Sequence, residues 1–417
     1  MQSMTQTPNT NSLQELDQTL QHHAQMIPRK MMNPTETFIA YGASAIVAQG
    51  TLTLLPSPDD KSEDKIEKDI VIKTVDTKER MEELMSEVRA YHRLGWLALD
   101  GAKHCGKMYD CVRGAYGVIS DGNYNRLVFE KMDVCLFDIL SSDSDGMCAS
   151  DKILSTASKT VYVLLNIANG LDKIHEAGLV HCDLRPSNIM LNIDMERDRN
   201  VLAKVADFGT SDVIGTHFEE DYVDRRKKLV HLTDDIIATP ALDIKGLGVM
   251  IMELMSGRPI NYQRELVAVN KAMRADVLHY TRCHHDLIQG KSCQKKKVKR
   301  RGRDEQPEEN TTTKLQQQQQ EEEHAIGGNN KKRICVETGE EGEEKTRMGV
   351  VVMRDFRDRP YSSQCTSRLR KAFQNDILCA KELLELAEGC VHVDPGQRPG
   401  LEKLKDGLQL ALALCWY

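Results

Sequence analysis

The chain has 417 residues, a net charge of −7, 40% hydrophobic residues and only 5% aromatic ones. That length can bury a sizeable core, and the acidic balance excludes a generic nucleic-acid binder. With no run of about 18 apolar residues, no secretory-type apolar N-terminus and twelve cysteines without a CxxC pair, a membrane span is excluded and the chain is expected to be intracellular, cytoplasmic or nuclear.

In chain order, residues 1–35 are rich in Gln, Thr, Asn and Met and read as a mostly disordered polar tail. Short β-like runs follow at 38–41, 46–55 and 69–75, the last two separated by the charged stretch 56–68, which reads as a loop. Residues 78–94 carry Leu84, Val88, Tyr91 and Leu94 at helical spacing. Strand candidates at 116–120 and 126–132 come next. A helix then presents Val161, Leu164, Leu165, Ala168 and Leu171 on one face, with Gly178 as its stop. Residues 243–256 form a strongly apolar helix that ends near Gly257, and 381–387 and 401–414 read as further helices.

Residues 291–347 break the pattern. They contain KKKVKRRGR, QQQQQEEE and EEGEE, and no Phe, Trp or Tyr. Such a segment buries too little apolar area to offset its ordering entropy, so it reads as a disordered insertion within a domain. The basic run 295–303 has the composition of a nuclear import signal, read by an importin or another partner, and equally that of a solvated charge run. Cys283, His284, His285 and Cys293 have zinc-type side chains, but their spacing matches no standard zinc site.

Two motifs carry chemistry. In LVHCDLRPSNIML (179–191) an Asp precedes an Asn by five residues between apolar strand-like runs. Asp183 is placed to accept the proton of an attacking hydroxyl, and Asn188 to coordinate Mg²⁺. In VADFGT (205–210) Asp207 is placed to hold Mg²⁺ against the β- and γ-phosphates.

With these motifs the chain resembles the eukaryotic protein kinases, of a divergent serine/threonine type, from about residue 38 to the C-terminus less the insertion. The resemblance implies a two-lobed α+β fold: a β-rich lobe at about 36–132 and a helical lobe at about 133–417. It also implies ATP and Mg²⁺ as cofactors and a protein as substrate. The ATP lysine falls on Lys73 of DIVIKTV, and its glutamate partner on Glu87. The glycine-rich loop becomes AYGASAIV, with Ala40, Gly42, Ala45 and Val47 at its key positions. The segment RLVFEKMDV resembles the hinge. It makes Phe129 the gatekeeper and turns backbone groups of Glu130 and Met132 toward adenine. Asp243 is then the buried carboxylate at the start of the central helix, and Arg398 the arginine that pairs with a buried acid. His181 and Tyr91 are expected to be packed structural residues.

Three departures stand out: Cys182 replaces the usual Arg, Arg185 replaces the usual catalytic Lys, and no Ala-Pro-Glu anchor precedes Asp243. DLRPSN is closer to DLKPEN than to DLAARN, which favours Ser/Thr acceptors. Two other classes stay open on these residues: a small-molecule phosphotransferase of the aminoglycoside or choline kinase type, and a pseudokinase scaffold.

Overall fold

The computed structural model describes residues 26–27, 31, 37–41, 46–54, 66–75, 78–95, 111–120, 125–141, 143–144, 147–148, 153–194, 200–218, 231, 236–288 and 369–415. The expected insertion at 291–347, Gly42, Ala45 and most of the N-terminal tail lie outside them.

The first part of the chain builds an antiparallel sheet in the order β1-β2-β3-β5-β4. Its strands are β1 (Thr37–Tyr41), β2 (Ile46–Leu54), β3 (Ile66–Thr74), β4 (Ala115–Ser120) and β5 (Asn125–Glu130). Period-two alternation explains its two faces. In β3, Ile70 and Ile72 are buried, while Val71 and Lys73 are only half-buried. Register decides what flanks Lys73: Val47 of β2 stands opposite on one side and Leu127 of β5 on the other. Helix α1 (Lys78–Leu94) contributes Leu84, Val88 and Tyr91 to the same core, at the i, i+4, i+7 spacing of one helical face.

Two differences from the sequence reading appear here. Strand β3 begins at Ile66, inside the stretch read as a loop, because its ladder with β2 runs on past Lys68, opposite Leu52, to Ile66, opposite Leu54. Residues 26–27 and 31 also belong to the fold and not to a disordered tail. The Ile27 amide donates to the Val118 carbonyl at 2.9 Å, and Ile27 and Met31 are buried in the core. Two apolar anchors in a polar stretch give no period, so composition alone concealed them.

The remainder is mainly helical. Short elements come first: β6 (Val134–Cys135), α2 (Leu136–Ser141), and the paired β7 (Asp143–Ser144) and β8 (Met147–Cys148). Helix α3 (Ala157–Glu176) starts where Thr156 Oγ1 accepts from the Lys159 amide, an N-cap worth about 1 kcal/mol. It stops at Glu176, two residues before Gly178, which sits at φ 74°, where glycine avoids the side-chain penalty. Four strands follow: β9 (Leu179–Val180), β10 (Ile189–Asp194), β11 (Asn200–Val205) and β12 (Asp212–Val213). Strands β11-β10-β6 form one small sheet and β12-β9 another.

Helix α4 (Pro240–Ser256) is buried nearly all round: Leu242–Met255 are buried apart from Lys245. A helix of that kind belongs at the centre of a lobe. Around it stand α5 (Gln263–Ile288), α6 (Lys371–Asn375), α7 (Ile377–Cys390) and α8 (Leu401–Leu414). Gly246 of α4 touches the next structural layer directly: a Cβ there would lie 2.5 Å from the Leu184 carbonyl oxygen. Only glycine therefore lets the central helix support the 181–188 loop at this separation. Helix α5 was missed in the sequence, although Leu266, Val269, Met273 and Val277 form its buried stripe.

Candidate active site

Lys73, near the end of β3, points its ammonium at two carboxylates. Nζ lies 2.9 Å from Glu87 Oε2 and 3.0 Å from Asp207 Oδ1. Burial opposes the charge on Lys73, but the two carboxylates outweigh it and raise its pKa. Burial alone would raise the Asp207 carboxyl, yet Lys73 beside it holds it below the usual range. Glu87 is buried on α1, and its pKa is raised by that burial against the pull of Lys73. Its second oxygen accepts from the Phe208 amide at 3.4 Å, so one carboxylate ties the lysine to the segment that carries Asp207.

That segment is also held by rings. Phe208 is fully buried, 5.1 Å from Tyr91 and 5.3 Å from His181 between ring centroids. Tyr91 and His181 thus pack as the sequence led one to expect. Asp207 itself sits at φ 65°. This conformation is rare for a residue with a Cβ and is held here by ion pairing.

The 181–188 loop brings the second group together. Asn188 Nδ2 donates to Asp183 Oδ2 at 3.0 Å and to the Asp183 carbonyl at 2.8 Å. Arg185 Nε lies 3.2 Å from Asp183 Oδ2. The loop is anchored from below by buried Asp243, whose carboxylate accepts from the His181 and Cys182 amides at 2.9 and 3.0 Å and contacts His175 Nε2 at 2.9 Å. Burial alone would raise the Asp243 carboxyl, but the His175 bond and charge hold it below the usual range. Cys182, at φ 66°, is buried with Val180, Ala238 and Leu242, and Phe218 packs against them. An apolar cluster therefore occupies the position where the resemblance would put an arginine.

Arg398 donates to the backbone carbonyls of His392, Ala241 and Val393. Its role includes tying the start of α4 to the connection between α7 and α8. His231, unremarked in the sequence, contacts Glu253 Oε2 of α4 at 3.0 Å, while Glu253 Oε1 accepts from the Ile260 amide.

The expected base-binding residues are placed unevenly. Val47 faces Lys73 across β2–β3, and Ala40 pairs with Val47 from β1; Gly42 and Ala45 lie outside the described residues. Met132 is buried, and none of the hydrogen bonds among the described residues uses its backbone. Glu130 differs from the expectation. Its amide donates to the Gly114 carbonyl, and its own carbonyl accepts from Arg113 Nε and Nη2, both at 3.2 Å. Its carboxylate is bound by Lys204 at 2.9 and 3.0 Å and by the Gly114 amide. Arg113 and Lys204 carried no sequence signal, because a lone cation beside an unassigned loop is indistinguishable from a solvated one. At the zinc-type cysteine and histidine run, Cys283 Sγ lies 3.7 Å from His279 Nε2, and no cluster of three such side chains occurs among the described residues.

This is the two-lobed fold and cleft of a protein kinase. The family model for the protein kinase domain matches residues 61–407, and the chain belongs to that family. It is similar to the serine/threonine-protein kinase pakE of Dictyostelium discoideum, 35% identical over 102 residues, which is 24% of this chain and 10% of that protein. It is also similar to mitogen-activated protein kinase 6 of Arabidopsis thaliana, 31% identical over 130 residues, or 30% of each chain. Homeodomain-interacting protein kinase 2 of Mus musculus is 32% identical over 155 residues, 36% of this chain and 12% of that one. The chain spans less than a third of the length of these relatives. No helix among the described residues is long and apolar enough to cross a membrane.

Proposed function

We propose that this chain transfers the γ-phosphoryl group of Mg·ATP to serine or threonine hydroxyls of a protein substrate. The observation that carries this reading is the bridge Glu87–Lys73–Asp207, made in full at 2.9 and 3.0 Å, beside an Asp183 carboxylate held by Asn188 and Arg185. In this reading Lys73 grips the phosphates. The acceptor oxygen forms a bond to the γ-phosphorus, its proton passes to Asp183, and ADP leaves. Arg185 lies close enough to Asp183 to neutralise charge on the transferring group. Mg²⁺ would be held by Asp207 and Asn188, hard oxygen donors suited to it; when bound it neutralises charge on the β- and γ-phosphates. The residue fit is good: Asp207 commits one oxygen to Lys73 with 47% of its side chain exposed, and Asn188 commits its nitrogen to Asp183. The protein supplies position and fixed charge.

Acceptor type rests on DLRPSN and on the relatives' names, which are those of serine/threonine and mitogen-activated protein kinases. The test offers labelled Mg·ATP with a mixed protein substrate and, separately, with aminoglycosides and choline. Label on Ser and Thr of protein is expected. Label only on small molecules would favour the phosphotransferase class, and no transfer at all a scaffold. Any partner reading the basic run 295–303, an importin included, belongs to the same proposal and is tested by deleting that run and following location in the cell.

A further inference from the structure

Arg113 occupies the hinge acceptor. Two of its N–H groups converge on the Glu130 carbonyl, at 3.2 Å each, and its guanidinium lies 4.7 Å from the centre of the Phe129 ring. Its backbone is fixed on both sides: the amide donates to the Val205 carbonyl, and its own carbonyl accepts from the Tyr91 hydroxyl. The Glu130 carboxylate is itself bound by Lys204 and the Gly114 amide. Among the described residues no carboxylate forms an ion pair with Arg113. The cation is thus directed at a neutral carbonyl beside the ring expected to line the back of the base pocket.

The chemistry of purines makes this consequential. Adenine presents a 6-amino donor, which needs an acceptor; guanine and hypoxanthine present a 6-oxo acceptor, which needs a donor. At Glu130 the carbonyl oxygen already accepts from two guanidinium N–H groups, and the neighbouring charge is positive. A 6-amino group gains little there, while a 6-oxo group meets a donor. Met132, whose backbone is uncommitted among the described residues, keeps both an N–H and a carbonyl for the ring edge of either base.

We infer that Arg113 sets the base specificity of this site by cancelling the preference for a 6-amino purine, so that 6-oxo purine nucleoside triphosphates bind as well as ATP. This rests on the kinase reading, which places the base against Glu130 and Met132. The test is direct binding, which does not depend on turnover. The full chain is titrated by calorimetry with Mg²⁺ and four triphosphates: those of adenosine, guanosine, inosine, and purine riboside, which has no 6-substituent. The four dissociation constants are expected to fall within about tenfold of one another. Arg113→Met should then weaken inosine triphosphate relative to ATP by at least tenfold, about 1.4 kcal/mol, and Arg113→Lys should lie between. The readout is a ratio within one preparation, so a lowered folded fraction does not distort it. Two outcomes overturn the proposal alone: ATP binding a hundredfold tighter than the other three to the unaltered chain, or a ratio unmoved by Arg113→Met. Binding of none of the four would overturn the kinase reading and this proposal with it.

Discussion

At the scale of single residues, the site separates into groups that hold charge and groups that move a proton. Lys73 belongs to the first. Its two carboxylate partners raise its pKa, so it stays an ammonium at any ordinary assay pH and cannot serve as a base. In the proposed reaction Asp183 belongs to the second. Asp183→Asn should lower kcat by orders of magnitude with ATP affinity kept, whereas Asp207→Asn should abolish transfer and weaken the Mg²⁺ dependence of binding. Near-normal turnover in Asp183→Asn would show that the base lies elsewhere. Asp243 is a structural counterpart. Its folded pKa is depressed, so its stabilising contribution is present above the unfolded value of about 3.9 and is lost as pH falls through the lower folded value. Asp243→Ala leaves buried donors without a partner and should cost about 3 kcal/mol, read by chemical denaturation at neutral pH. It should also flatten the fall in stability below about pH 4. Asp183, Asn188 and Asp207 were legible from the spacing of the DLxxxN and DFG motifs, and Lys73 and Glu87 from their place in the resemblance to the kinases. Arg113 was not, because a side chain that bonds to distant backbone leaves no pattern in its own neighbourhood.

At the scale of elements, most of the long periodic segments were readable, α5 (Gln263–Ile288) being the exception, and the shortest ones were not. The helices at 78–94 and 401–414 match their expected bounds, since amphipathic spacing over four turns is hard to counterfeit. Two-residue strands such as β9 and β12 have no period to detect, yet they fix the start of the 207–240 segment. Its described ends pair with each other: the Gly215 amide donates to the Ala238 carbonyl, the Ala238 amide to Thr216 and the Phe218 amide to Ile236, and Ala238 packs on Cys182. In kinases with an arginine at this position, a phosphate supplies the counter-charge that orders the segment. Here a buried thiol and apolar neighbours stand in that place. Activity should therefore survive phosphatase treatment that strips the segment, as verified by mass spectrometry. A tenfold or greater loss, about 1.4 kcal/mol, would mean that another cation has taken the role.

At the scale of the whole molecule, the described core closes on both sides of the expected insertion. Helix α5 ends at Ile288, and the chain is described again from Leu369, whose amide bonds to Asp276 of the same helix at 3.0 Å. Asp276 to Ile288 spans about 18 Å at 1.5 Å per residue. If 291–347 are removed, about 23 residues remain between Ile288 and Leu369. Twenty-three residues can span up to about 75 Å fully extended, more than enough to bridge the gap without a linker. Deleting 291–347 should thus leave the melting temperature within ~5 °C of the full chain; a larger fall, about 3 kcal/mol or more for a domain of this size, would show that the segment packs. Composition sets the expected bounds of the insertion, and the two-lobed plan followed from motif order. The anchoring of Ile27 and Met31 could be seen only in three dimensions.

The ring stack Tyr91–Phe208–His181 bears on pharmacology. A compound that reaches the cleft by expelling Phe208 must break both ring contacts and the Phe208–Glu87 hydrogen bond. The two aromatic pairs alone are worth about 1–3 kcal/mol, roughly one to two orders of magnitude in affinity. Compounds that leave Phe208 seated avoid that loss. A screening collection built on such scaffolds should therefore yield tighter hits against this protein than one built on expulsion.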